Sequence, residues 1–298
     1  MSDFVPMPAV AAAEGPVEQG LSFWRDVRRR FFANRLALVG LIVLGVLAVG
    51  AIFAPLFSSH TYYETHLALN NQPPSSTFWF GTDDLGRDIF TRIWYGARIS
   101  LFVGVAAAAI DLLIGVLWGG VAALAGGKVD EVMMRMADIL YAIPYLLVVI
   151  MLMVVMGSGV VTIIVAMTIT GWIGMARLVR GQTLRLKRKE FVRAAVALGA
   201  SPMRVLFRHL LPNTMGEIIV MMTLTIPTAI FTEAFLSFLG LGVQAPIASW
   251  GTMAAESLSA MRYYPWRLFF PAGFICATML AFYLVGDGLR DAVDPRMR

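Results

Sequence analysis

Six long stretches that are almost free of charge alternate with polar segments along the 298-residue chain. Each stretch is close to the roughly 20 apolar residues that a helix needs to cross the hydrocarbon layer of a membrane. The stretches do not alternate apolar and polar residues, as the strands of a membrane barrel would. The pattern therefore predicts an all-α polytopic membrane protein with six transmembrane helices. The predicted spans are Leu36–Phe57, Ile99–Ala125, Ile139–Met156, Val160–Ala176, Ile218–Val243 and Leu268–Gly286.

Two acids and two prolines interrupt these spans. Asp111 lies in the second span and Glu233 in the fifth, while Pro144 and Pro227 break the third and the fifth. An ionised side chain at mid-membrane costs at least roughly 2.5–3.5 kcal/mol unless it is paired or hydrated. Both acids are therefore expected to face protein or a water-filled cavity, where they contact a transported amine or make a structural pairing. Pro227 marks either a bend in the pathway or a packing kink.

Composition supports the membrane assignment. The chain is 58% hydrophobic and only 14% charged, with a mean hydropathy of +0.74, whereas a soluble domain carries about 25% charged residues. A single cysteine, Cys276, excludes an internal disulfide and a cysteine-built zinc site. Nucleic-acid binding is disfavoured because the basic residues are not interleaved with aromatic residues on a polar face.

The distribution of basic residues predicts the orientation. With the N-terminus in the cytoplasm, 19 of the 24 lysines and arginines lie inside and five lie outside, which agrees with the positive-inside rule. Residues 1–35 are then a cytoplasmic tail that ends in a basic, aromatic segment at the inner interface, and residues 288–298 are a cytoplasmic C-terminal tail. The first 20 residues lack the basic and apolar regions of a secretory signal.

The segment between the first two spans, residues 58–98, is too long for a simple connector and is predicted to be extracytoplasmic. Three of its acids lie close to Arg87 and Arg92, so local ion pairing is expected to order it. Asp88 and Arg92 are four residues apart, with the acid first, which favours a helical ion pair. A metal site at these acids is disfavoured because no histidine or third ligand is nearby.

The segment between the fourth and fifth spans predicts two short helices joined by a tight turn. Glu190–Leu198 consists of helix formers, and Gly199 follows where a helix end favours positive φ. Ser201 is a suitable N-cap, and Pro202 fits the first helical position. The second helix is predicted to run until Pro212 stops it.

This predicted helix pair is amphipathic. Val205, Leu206 and Leu210 fall on one side, and Arg204 and Arg208 share another. A connector that needs only solubility has no use for an apolar stripe that faces away from the membrane. Because such stripes usually mark protein contacts, we expect the element to dock a cytoplasmic partner; a solvated basic loop is the alternative.

At these residues the chain resembles the inner-membrane permeases of ATP-binding-cassette importers, whose signature is EAA, three residues, Gly, nine residues, Ile, one residue and Leu-Pro. Arg193 and His209 replace the acid and the isoleucine, and Glu190 is a candidate substitute for the missing acid. The resemblance implies a coupling element at residues 187–212 that docks on an ATPase. The coupling residues are Glu190, Arg193, Ala194, Ala195, Gly199, Ala200, Ser201, Pro202, Arg204, Val205, Leu206, Leu211 and Pro212.

Longer motifs carry the resemblance further. FGTDDLGRDIF from Phe80, DEVMMRMADILYAIP from Asp130, LGLGVQAPIASWGTM from Leu239 and the ending VGDGLRDAVDPRMR resemble the C-type permease of oligopeptide and dipeptide importers. YYPWRLFFPAGF from Tyr263 is closer to the oligopeptide branch. The resemblance implies the six-helix fold of type I importer permeases in a bacterial inner membrane. It assigns residues 36–57 to the first helix and 99–287 to the permease domain.

The same resemblance implies partners. They are a second, similar permease, two cytoplasmic ATPase subunits and an external binding protein that delivers a peptide. The chain holds no phosphate-binding loop, since its only Gly-Lys pair, Gly127-Lys128, is followed by valine. ATP and Mg²⁺ are therefore expected on the ATPase subunits, with no cofactor, metal or catalytic residue in this chain.

Residues for the pathway and for the binding protein are harder to assign. Asp111, Pro227 and Glu233 are the pathway candidates, and methionine-rich stretches are either a pliable lining or simple packing. The outer loop around Trp250 either touches the binding protein or folds toward the pore mouth, and Trp250 is equally consistent with an interface anchor. The binding-protein candidates are Asp83, Asp84, Arg87, Asp88 and Trp250.

Other functions remain as alternatives. A permease for dipeptides, nickel or another small solute would share these motifs. A proton-coupled carrier with Asp111 and Glu233 as relays would explain the acids without partners. It would not explain the capped helix pair. An enzyme is disfavoured because neither HExxH nor GxSxG occurs.

Overall fold

The computed structural model describes residues 23–294, and the predicted tail over residues 1–22 and the last four residues lie outside that range. The described residues are helical apart from loops and one isolated bridge between Thr82 and Asp88. The helices are α1 (Phe23–Ala33), α2 (Arg35–Phe53), α3 (Ile89–Ala125), α4 (Gly127–Tyr141), α5 (Tyr145–Met156), α6 (Val160–Lys187), α7 (Glu190–Ala197), α8 (Pro202–Val205), α9 (Leu211–Phe238), α10 (Trp250–Ser257) and α11 (Trp266–Val293).

Five stretches of the described chain are long and apolar enough to cross a membrane: α2, α3, α6, α8 continued through α9, and α11. α4 and α5, which meet at an angle of 79°, pass the same test only as a pair and form a sixth candidate, either a broken span or a re-entrant loop. The predicted third span over Ile139–Met156 is interrupted where the sequence placed the break, at Pro144, and its first three residues belong to α4. Pro144 disfavours helical geometry at the residue before it, so the helix ends at Tyr141 and restarts at Tyr145.

Two helices extend well beyond their apolar runs. α3 begins at Ile89 rather than Ile99, because the Asp88 side chain caps it by accepting a hydrogen bond from the Thr91 amide at 2.9 Å. α6 continues past Ala176 to Lys187. At about 1.5 Å per residue, α3 is about 55 Å long, which exceeds the thickness of a hydrocarbon layer. The ends of both helices therefore carry polar residues beyond the membrane core.

α3 lies at the centre of the fold and packs along α6 and α9, while α11 packs on α2 and α9. The close approach of α3 and α6 depends on glycine. A Cβ atom on Gly119 would lie 2.2 Å from the carbonyl oxygen of Ala176, and one on Gly115 would lie 2.6 Å from Met175 Cβ. Small residues four apart allow backbones of membrane helices to approach in this way.

The inner helix pair forms largely as its local sequence predicts. Gly199 takes a φ of +82° after α7, and the Ser201 side chain accepts a hydrogen bond from the Arg204 amide at 3.4 Å. The prediction that Pro212 ends the second helix is wrong. A π-helical turn over Leu206–Leu210 shifts the hydrogen bonding, so that Pro212 lies in the first turn of α9, where no amide donor is needed.

Candidate functional site: an inner docking element and a cavity within the membrane

The apolar stripe that was predicted to dock a partner is buried inside the chain. Val205, Leu206 and Leu210 have exposed fractions of 3%, 0% and 0%. They pack in one cluster with Val192 of α7 and Val179 of α6. The prediction that this stripe faces outward is therefore wrong, because these side chains hold the helix pair against the membrane helices.

Other apolar side chains form the surface of the inner element. They lie on α7, in the turn, on α8 and in the π turn, and their exposed fractions range from 44% to 88%. We call them the exposed apolar set: Phe191, Val196, Leu198, Met203 and Phe207. Large exposed apolar groups beside charged ones are typical of protein contacts.

Most of the remaining predicted coupling residues also reach the surface of the element. Leu211 is buried at the start of α9. Ala195 and Ala200 are half-buried. The exposed members are Glu190, Arg193, Ala194, Gly199, Ser201, Pro202, Arg204 and Pro212. The signature therefore contributes both to the attachment of the element and to its surface.

A cavity of about 520 Å³ opens between α3, α5, α6 and α9. Asp111 lines it from α3 and is 6% exposed, and its Oδ1 atom has no hydrogen-bond partner within the described chain. The structure thus places this predicted pathway residue at a cavity. Three further lining residues, Tyr145, Gly171 and Thr228, were not found from the sequence, because nothing local distinguishes them from other residues of apolar helices.

A second cavity of about 870 Å³ adjoins the first toward the inner end of α9 and shares Met221 and Leu224 with it. Its lining is more polar. Glu217 accepts hydrogen bonds there from the Gln182 side chain and from Arg185 Nη2, the latter at 3.2 Å. The two adjoining cavities, which we call the groove, have a lining that changes from mainly apolar around Met167 to charged around Glu217.

Glu233 does not line this groove, so its assignment to the pathway is wrong. It is wholly buried and accepts hydrogen bonds from three serine hydroxyls, those of Ser100, Ser237 and Ser249, at 3.2, 2.8 and 2.7 Å. Ser249 also caps α10. Glu233 therefore joins α3, α9 and α10. Pro227 is likewise buried inside α9 and is not among the residues that line the cavity, and its part in the pathway stays a prediction.

The outer charged residues form a buried network. Asp83 Oδ2 pairs with Arg87 Nε at 2.7 Å and with Arg92 Nη1 at 3.2 Å, and both arginines reach Glu256 of α10. The predicted Asp88–Arg92 pair does not form, because Asp88 caps α3 instead. The network joins the outer segment to α10.

This burial bears on the predicted binding-protein contacts. Asp83, Arg87 and Asp88 are 4–6% exposed, and Trp250 is 0% exposed, with its Nε1 donating to the Ile93 carbonyl at 3.0 Å. The prediction that these four residues contact a partner is therefore wrong, as is the membrane-anchor alternative for Trp250. Asp84 remains exposed, although it pairs with Arg267 at 3.0 Å.

The long apolar helices define the class of protein: an all-α, multi-span membrane protein. A solved structure of the MetNI methionine ABC transporter in inward-facing conformations contains a chain of similar fold. The TM-score is 0.57 at 19% identity, and the match covers 67% of this chain and 94% of that one. Among the described residues, no group of three or more histidine, cysteine or acidic side chains could hold a metal ion.

The sequence comparisons identify the family within that class. Residues 111–298 match the family described as binding-protein-dependent transport system inner membrane component, and residues 22–74 match the N-terminal TM domain of oligopeptide transport permease C. The chain belongs to this family of inner-membrane permease components. As predicted, it is a multi-pass, non-catalytic component of ABC transporters.

Curated relatives are similar over nearly their whole length. The oligopeptide transport system permease protein OppC of Bacillus subtilis is 62% identical, over 99% of this chain and 97% of the relative. The dipeptide transport system permease protein DppC of the same organism is 57% identical, over 96% and 90%. The OppC protein of Escherichia coli is 46% identical, over 94% and 93%.

Proposed function

We propose that the chain forms half of the translocation pathway of an ATP-driven importer for oligopeptides. A second, similar permease supplies the other half, two cytoplasmic ATPase subunits bind ATP and Mg²⁺, and an extracytoplasmic binding protein delivers the peptide. The similarity to permeases named for oligopeptide transport, at 62% and 46% identity, is the observation that carries this proposal. Both termini lie in the cytoplasm, as the basic residues indicate.

The exposed apolar set supports an ATPase contact at the inner element. Leu198 is 88% exposed and Phe207 is 54% exposed, although burial of such side chains would be favourable. The buried face of the same element packs against α6 and α9 in one apolar cluster. A push on the exposed side is therefore transmitted to two helices that line the groove, which is the arrangement that alternating access requires.

The groove supports a pathway shared between two permeases. The first cavity is lined by residues of α3, α5, α6 and α9 and is not fully enclosed by this chain. A similar permease facing it would complete the wall. The surrounding membrane lipid covers the outer faces of the helices.

The substrate is tested by uptake of a labelled peptide in a strain that lacks this chain. Expression of the chain should restore uptake, and unlabelled peptides of two to ten residues should compete. Labelled Ni²⁺ serves as the second solute, for the small-solute alternative. Expression of the chain that restored uptake of labelled Ni²⁺ and left uptake of the labelled peptide unrestored would contradict the oligopeptide assignment.

Docking is tested by charge substitutions on the exposed apolar set. Leu198→Asp should lower co-purification of the ATPase subunits and peptide uptake, while the amount of chain in the membrane stays unchanged. Leu67→Asp is the matched control, because Leu67 is 68% exposed in the outer segment. Equal recovery of the ATPase with both variants would contradict docking at this surface.

A further inference from the structure

The cavity within the membrane holds one acidic side chain and no basic one. Asp111 is the single charged residue among the described residues that line it. The residue lies near the middle of the apolar run Ile99–Ala125. A carboxylate in such surroundings needs a cation or several hydrogen-bond donors beside it. Within the described chain, the Oδ1 atom of Asp111 has no hydrogen-bond partner. We therefore expect a ligand or a partner chain to supply one.

Glu233 shows what a structural acid looks like in this fold. Its two carboxylate oxygens accept three hydrogen bonds from serine side chains, all within the chain. Asp111 Oδ1 has no such donor, and the hydroxyl of Tyr145, on the same cavity, is also buried without a partner. The two acids therefore have different surroundings, and those of Asp111 are incomplete.

Four threonines line the cavity, Thr170 on α6 and three on α9, and the hydroxyls of the three on α9 are engaged within their own helix. The hydroxyls of Thr225, Thr228 and Thr232 donate to carbonyl oxygens of their own helix at distances of 2.8–3.1 Å. Such intrahelical bonds leave little reason for these groups to bind a solute strongly. Among the described residues that line the cavity, Asp111 and Tyr145 are the two that carry buried polar atoms without a hydrogen-bond partner.

Space for the carboxylate is created by a glycine on the facing helix. A Cβ atom on Gly171 of α6 would lie 2.3 Å from Asp111 Oδ2 and 2.8 Å from Oδ1. Any larger residue at this position would therefore displace the carboxylate. Gly174, one turn further on, is different, because a Cβ atom there would make only an ordinary contact with Met221 at 3.5 Å.

We propose that Asp111, with Tyr145 beside it on the same cavity, forms a subsite for the protonated primary amine of a transported solute. A carboxylate with a hydroxyl neighbour in a cavity whose other lining residues are uncharged attracts an ammonium group strongly, because little water screens the charge. The inference rests on the proposed function, in which the solute is a peptide. The ammonium group then belongs to the peptide N-terminus or to a lysine side chain.

The first experiment measures the charge preference of the cavity without any peptide. The importer complex carries this chain with Cys276→Ser and Thr228→Cys. Its reaction with 2-aminoethyl methanethiosulfonate and with the anionic sulfonatoethyl reagent is followed on this chain by mass spectrometry. The rate of each reagent with the introduced cysteine is divided by its rate with a free thiol in solution. After this normalisation the cationic reagent should react about tenfold faster than the anionic one. Asp111→Asn should remove this preference, and an unchanged preference would overturn the proposal.

The second experiment compares the uptake of trialanine and of N-acetyl-trialanine. Asp111→Asn should lower the uptake of trialanine about tenfold more than that of the acetylated peptide. The quantity compared is the fractional loss of uptake of each peptide, variant relative to unmodified chain. Because the binding protein is the same in both strains, its preference between the two peptides cancels when these losses are divided. Gly171→Ala should act in the same direction, and Gly174→Ala should leave the ratio unchanged. N-acetyl-alanyl-lysyl-alanine distinguishes the two sources of the ammonium group, because its N-terminus is blocked and only its lysine is charged. Its uptake should depend on Asp111 only if the subsite accepts a lysine side chain.

The outcomes distinguish this subsite from the proposed function. An equal loss of both peptides in Asp111→Asn would overturn the subsite and assign Asp111 to assembly or general gating, while the oligopeptide function would stand. Failure of the unmodified chain to restore uptake of any peptide would instead refute the proposed function, and the subsite for a peptide amine would fall with it.

Discussion

Replacing Leu206 by alanine tests which face of the inner element attaches it to the membrane helices. Leu206 is 0% exposed and packs in the cluster of α6, α7 and α9. Truncation of a buried leucine to alanine costs about 2–5 kcal/mol, through lost burial and the cavity that remains. Leu198, which is 88% exposed, is the matched control, and its truncation should change the free energy of unfolding by no more than about 0.5 kcal/mol.

The assay is denaturant or thermal unfolding of the purified chain in detergent, combined with recovery of the ATPase subunits. Leu206→Ala should lower stability clearly, since 2 kcal/mol changes the folded-to-unfolded ratio about 30-fold. Leu198→Ala should keep its stability and lose ATPase recovery. If Leu198→Ala cost as much stability as Leu206→Ala, the assignment of buried and exposed faces would be refuted.

A double-mutant cycle sharpens this test. A Cβ atom on Gly120 of α3 would lie 3.1 and 3.3 Å from the two methyl carbons of Leu206. Gly120→Ala alone forces Leu206 to shift by a few tenths of an ångström, which offsets the roughly 1 kcal/mol that alanine gains over glycine inside a helix. In the Leu206→Ala background the added methyl group fills vacated space, so we expect a coupling energy of about 0.5–3 kcal/mol. Strict additivity would show that α3 and the inner element do not meet at this point.

Three further predictions concern stability, each measured by thermal unfolding. Glu233→Ala should cost at least about 2 kcal/mol, because three buried serine hydroxyls lose their acceptor; uptake lost at unchanged stability would contradict a structural role. Arg92→Met should cost about 1.5–3 kcal/mol, the typical value for a lost hydrogen bond between charged groups, because Asp83 keeps its pairing with Arg87, and wild-type stability would argue against the outer network. Gly119→Val should separate α3 from Ala176 of α6 and lower the unfolding temperature, whereas Gly181→Val, which meets nothing within 4 Å, should not.

Local signals in the sequence were sufficient to predict the class of fold and the order of helix, turn and helix in the inner element. Membrane-length apolar runs predict spans because each helix must satisfy its own backbone in lipid. The positive φ at Gly199 and the Ser201 cap depend on a few neighbouring residues, and the structure confirms both. Family membership also follows from short motifs that can be read without coordinates.

Contacts between distant segments decided the rest. Apolar residues occur around much of the inner helix pair, so the pattern could not distinguish the buried Leu206 from the exposed Leu198. Asp111 and Glu233 are equivalent in sequence, as lone acids in apolar runs. Only packing supplies serine donors to Glu233 and leaves Asp111 at a cavity opposite Gly171. The physical reason is that burial and hydrogen bonding of a side chain depend on neighbours that approach from other helices, whereas periodicity and caps depend on residues within the same turn.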